Sequence, residues 1–118
     1  MSKLLPIPEQ EQLQALASGL KEVYRLLADY LGNLNIVPDF RRHITVSKKQ
    51  LADYLRHHPE LANQHVSQPS DPKYHESPVL ERTDGKYRVY EVDHDQPWDV
   101  REFSELADAA AEYLMWGW

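Results

Sequence analysis

The sequence predicts an α+β fold: two N-terminal helices, a small antiparallel β-meander and a C-terminal helix packed on the sheet. Three observations lead there. Apolar residues recur at alternating intervals of three and four over residues 9–31. The dipeptide Asp84-Gly85 separates two segments of alternating character. An Ala-rich amphipathic stretch then closes the chain.

In the first element, Leu13, Leu16, Leu20, Val23, Leu27 and Tyr30 share one helical face, and Gly32-Asn33 supplies a stop. The stripe is read as packing into the protein's own core. The alternative is a coiled-coil dimer, because three heptads are close to the shortest that sustain one. Residues 34–46 mix β-branched side chains with Pro38 and read either as a short edge strand or as an irregular crossing. Ser47 and Gln50 then form a capping box, in which hydroxyl and amide each satisfy a free backbone N–H. A second helix over residues 48–57 follows, with Leu51, Tyr54 and Leu55 inward. Pro59 ends or restarts it, and residues 59–63 add a further turn. Residues 64–77 read as a polar loop open to a partner.

The stretch VLERTDGKYRVYEVD is a hairpin whose type I′ turn uses Asp84-Gly85, since both central residues need positive φ. On its return strand Tyr87, Val89 and Glu91 point one way, and Arg88, Tyr90 and Val92 the other. Residues 98–103 make the third strand. Ser104 is expected to cap a final helix over residues 105–116, with Leu106, Ala109, Ala110, Tyr113 and Leu114 inward and Trp116 to one side. Gly117 breaks that helix, so Trp118 either folds back as a lid or projects as an anchor.

At 118 residues the chain has the size of one domain, and its 42% apolar residues suffice for one core. No apolar run approaches the ~20 residues of a membrane span. The start, MSKLLPIPEQEQ, lacks the long apolar segment of a secretory signal, which implies a cytoplasmic protein. The absence of cysteine excludes disulfides, thiol nucleophiles, iron–sulfur clusters and thiolate zinc sites. Residues 1–83 carry ten acids and ten basic residues. Residues 84–118 carry nine acids against Lys86, Arg88 and Arg101, so the whole net charge of −6 lies in the last third. Such a region repels nucleic acid and attracts basic partners, although solubility alone would also account for it.

Enzymatic motifs are missing. There is no G-x-S-x-G elbow, no phosphate-cradling glycine loop and no H-E-x-x-H. Asp93 and Asp95 share one face of a strand and His94 the other, so no single ion meets all three, and no metal or cofactor is expected. Glu91, Asp93 and Asp95 read as a solvated acidic edge rather than a paired-carboxylate active site. The helix–turn–helix–hairpin order over residues 45–93 also fits a winged-helix DNA-binding regulator. Its recognition stretch PELANQHV, however, holds no Lys or Arg for the phosphates.

DGKYRVYEV followed by WDVREFSELADAAAEYLMWGW resembles the immunity proteins of bacterial polymorphic-toxin and contact-dependent growth inhibition systems. The resemblance covers residues 80–118. It implies a non-enzymatic toxin inhibitor that binds and neutralises one cognate toxin domain, with a basic nuclease favoured by the acidic excess. The partner is then a protein rather than nucleic acid or membrane, and the free chain is a monomer or weak dimer. Aromatic anchors inside a charged rim would be Tyr74, Trp98 and Trp118, with Trp116 a further candidate. The acids of that surface would be Glu91, Asp93, Asp95, Asp99 and Glu102.

Overall fold

A computed structural model of the chain describes residues 6–31, 41, 43–67, 78–93 and 96–118. Within these residues five helices and one sheet follow in the order α1 (Glu9–Ser18), α2 (Leu20–Leu31), α3 (Lys48–Arg56), α4 (Pro59–Asn63), β1 (Val79–Thr83), β2 (Lys86–Asp93), β3 (Gln96–Phe103) and α5 (Leu106–Leu114). The fold is α+β, with a three-stranded antiparallel sheet of order β1-β2-β3.

The helix expected over residues 9–31 is two helices. Gly19 adopts φ 120°, a conformation that side chains disfavour, and its N–H closes α1 on the carbonyls of Ala15 and Leu16. The carbonyl of Gly19 in turn accepts from Glu22 and Val23, which starts α2. The apolar stripe carries across this break, with Leu16, Val23, Leu27 and Tyr30 all buried. Leu20, the first residue after the break, is instead turned out and 50% exposed. Tyr30 ties the two helices together, its hydroxyl donating to Glu11 at 2.8 Å.

The Ser47 capping box forms as expected. Gln50 N–H donates to Ser47 Oγ at 3.1 Å, and Ser47 N–H donates to Gln50 Oε1 at 2.8 Å. Replacing Ser47 with Ala should cost about 1 kcal/mol in a denaturant titration. A loss under about 0.3 kcal/mol would mean that packing of Leu51 and Leu55, not the cap, fixes the start of α3. Pro59 opens α4 at its first position, where the missing N–H costs nothing.

Asp84 (φ 49°) and Gly85 (φ 76°) both take the left-handed conformation of the tight hairpin turn. Leu80 pairs with Val89, and both turn into the core. On the opposite face Glu81 accepts from Tyr90 Oη at 2.6 Å and from Arg88 Nη2 at 2.8 Å.

The last helix lies at the centre of the molecule, touching α1, α3, α4 and all three strands. Ala109, Ala110 and Ala111 are fully buried. Short side chains on several sides let a helix be approached closely from several directions. Ser104 does not cap it. Glu105 occupies the cap position with an extended backbone and makes no side-chain cap bond. The helix also ends earlier than expected, at Leu114, before Gly117 is reached. Gly117 (φ 78°) then closes a turn in which Trp118 N–H donates to Met115 O at 3.1 Å. Trp118 is folded back half-buried against the core rather than projecting. Arg41 stacks over its ring at 5.6 Å and donates to Gly117 O at 2.9 Å.

Candidate functional site

Among the described residues strand β3 lies at the edge of the sheet, and seven of its eight residues are exposed; only Phe103 is partly covered. It carries Trp98 (58% exposed) and Val100 (43%), two of the three large hydrophobic residues that the described surface leaves in water. The pairing with β2 runs Phe103–Tyr87, Arg101–Val89, then Trp98–Glu91, so β3 holds one extra residue opposite Tyr90. Asp99 absorbs that bulge with a φ of 54°, a conformation that Asp tolerates better than most side chains. The bulge decides where Trp98 points. Residues directly opposite one another share a face, so Trp98 lies on the same side as Glu91, Arg101 and Phe103, the side on which α5 packs.

An ionic network backs this strand. Glu112 of α5 is buried, and it accepts from Lys48 of α3 at 2.8 Å and from Arg101 of β3. Arg101 also pairs with Asp99 at 2.9 Å and lies 4.3 Å from the Trp116 ring centre, a cation–π stack. Trp116 Nε1 donates to Glu91 at 2.7 Å. Burial pushes the Glu112 carboxyl up, but the hydrogen bonds and charges of Lys48 and Arg101 outweigh it and hold the group below its ordinary range. Four elements, α3, α5, β2 and β3, are thereby tied together on the face that carries the exposed Trp98.

The expected site residues divide into three groups. Glu91, Trp98 and Asp99 come together on β2 and β3, whereas Glu102, exposed and directly opposite Arg88, lies on the other face of the sheet. Glu91 and Asp99 are already engaged inside the protein, by Trp116 and Arg101. Asp93 ends β2, in register with Gln96. Trp118 lies apart, beside a recess of about 410 Å³ that Tyr24, Arg41, His65, Tyr113 and Trp116 also line. There His65 donates from Nε2 to Ala17 O at 2.7 Å, and burial pushes its pKa down, so the ring is neutral near pH 7. Tyr74 and Asp95 lie outside the described residues, as do most of the residues 34–46 and 64–77 discussed above.

Lys48, Val100, Arg101 and Glu112 were not among the expected site residues. Arg101 had a visible signal, as the single cation between Asp99 and Glu102. Glu112 had another, because it follows Ala109 by three residues on an inward face, where an acid needs a cation. Among the described residues no three His, Asp or Glu side chains are grouped as a metal site, and no helix is long and apolar enough to cross a membrane. The geometry is that of an exposed, partly apolar strand edge held by ion pairs and a cation–π stack.

Comparison with known proteins adds one lead. The N,N-dimethylformamidase alpha subunit of Alcaligenes sp. is 31% identical over 80 residues, covering 55% of this chain. The chain spans 58% of the length of that relative. No family model and no solved structure matches the chain.

Proposed function

We propose that this chain is a binding subunit of a multi-chain amide hydrolase similar to N,N-dimethylformamidase, and that it acts by docking on a partner chain. The observation that carries this reading is the 31% identity to a protein described as an alpha subunit, a word that implies at least one further chain. The exposed strand β3 supports it. An edge strand with Trp98 and Val100 in water, braced from behind by Arg101, Glu112 and Trp116, is the kind of pre-organised surface that binds protein.

The immunity-protein reading remains the second, and one observation favours it. Two exposed carboxylates follow Trp98 on β3, Asp99 beside it and Glu102 further along on the other face, and an inhibitor of a basic toxin would present acids of this kind. It is weakened by the internal engagement of Glu91 and Asp99, which removes part of the acidic potential.

The two readings separate in one experiment. The full tagged chain is purified from its source cells, and the product is assayed for hydrolysis of N,N-dimethylformamide to formate and dimethylamine. A stoichiometric second chain and amidase activity are expected together. Recovery of a basic protein that is toxic when expressed alone, without amidase activity, overturns the subunit reading in favour of immunity. Recovery of the chain alone overturns both.

A further inference from the structure

Resting on that subunit reading, we infer that β3 docks by edge pairing: it receives an extended segment of the partner chain that carries aliphatic and basic side chains. Three features of the strand converge on this.

The first is the edge itself. The strand pairs with β2 on one side, and among the described residues no strand lies on its other side. Its outward backbone N–H and C=O groups are a template for one more strand. Natural edges are often blunted by a bulge, and this one has a bulge at Asp99. Here, though, the bulge divides the edge rather than closing it. It leaves a run from Val100 to Phe103 for pairing and re-aims Trp98 to the α5 side, flanking that run.

The second is chemistry. Trp98 on the α5 face and Val100 on the opposite face offer apolar contact on the two sides of one end of the run. Acids outnumber bases around them: Asp99, Glu102, Glu91 and Glu112 stand against Arg88, Arg101 and Lys48, and because Lys48 and Arg101 are paired with Glu112 and Asp99, the excess is centred on Glu91 and Glu102. A segment bearing Lys or Arg beside an aliphatic residue complements that pattern, and its association should weaken with salt.

The third is rigidity. Arg101 is held by Glu112, Asp99 and the face of Trp116, while Trp116 is fixed by its bond to Glu91. A surface fixed before binding loses little entropy on docking.

The test uses the active complex recovered as above, with the purified partner chain as the probe. Hydrogen exchange should show outward amides of residues 100–103 slowed in the complex. Trp98→Ala and Val100→Lys should each weaken association at least about tenfold. Both positions are exposed, so thermal melts should stay near the wild type. Leu20→Ser, equally exposed on α2, should leave binding unchanged. An active complex in which these amides are unprotected and both β3 variants bind normally overturns the inference while leaving the subunit reading intact. Self-association of the free chain that Trp98→Ala abolishes overturns it in favour of a second copy on β3. Failure to recover any partner overturns the inference and the subunit reading together.

Discussion

Replacing Gln12 with Leu should lower the stability of this protein by about 3 kcal/mol, a drop of roughly 10 °C in Tm for a chain of this size. Gln12 lies in the first turns of α1 and is fully buried. All four of its hydrogen-bonding capacities are used. Nε2 donates to Ile7 O at 2.8 Å and to Thr45 Oγ1 at 2.9 Å, while Oε1 accepts from Thr45 N–H at 2.7 Å and Val46 N–H at 3.3 Å. The amide thus staples the start of α1 to the segment that leads into α3. Leucine fills the same volume but leaves Ile7 O and Val46 N–H without partners, and both residues are buried. Thr45 is exposed and its two groups can turn to water, which keeps the cost below four full desolvation penalties. Gln12→Glu separates polarity from bonding. It retains an acceptor for Thr45 and Val46 but places a buried carboxylate against the Ile7 carbonyl, and should cost at least as much as the leucine. Urea unfolding followed by circular dichroism gives the number. A Gln12→Leu loss below about 1 kcal/mol would show that apolar packing of Ile7 and Val46 holds this junction without the amide.

What could be read in advance follows from the range of the forces involved. The hairpin was legible because Asp84 and Gly85 answer a purely local dihedral demand, and the Ser47–Gln50 cap because both partners lie within one turn of helix. The stripe from Leu16 to Tyr30 was legible as a burial pattern but not as two helices. A single glycine at Gly19 preserves the three-four spacing on either side while ending the backbone bonds, so periodicity alone carries no sign of the break. The cap of α5 shifted from Ser104 to Glu105 because packing against β3 and α3, not a side-chain bond, sets where that helix starts.

Gln12 was hidden for a different reason. A glutamine in a polar first turn looks solvated, and only the return of the chain at Thr45, 33 residues later, supplies three of its four partners. The exposed edge strand shows the same limit. Trp98 was identifiable as a strand residue, but its exposure depends on β3 being the outer strand of the sheet. Its direction depends on the bulge at Asp99. Neither fact is local.

Glu112 carries the second large effect, and its sign with pH is fixed by its surroundings. Glu112→Gln should cost about 1–2 kcal/mol at pH 7, because it removes the charge that Lys48 and Arg101 share. The larger penalty of a broken buried ion pair does not apply, since Lys48 (45% exposed) and Arg101 (43% exposed) can turn to water. The folded protein holds the Glu112 carboxyl below the ordinary value of about 4.3, so its contribution is complete above that pH. It is lost as pH falls through the folded-state value, once both states bind the proton. The difference between wild type and Glu112→Gln should therefore be constant from pH 7 to about 5 and shrink progressively at lower pH. A gap that stays the same down to pH 3 would mean that the variant acts through altered packing in α5 and not through charge. Because Arg101 braces β3, the same substitution should also speed amide exchange at Val100 and Arg101, whereas Ser47→Ala, acting on α3 alone, should leave those amides as they are.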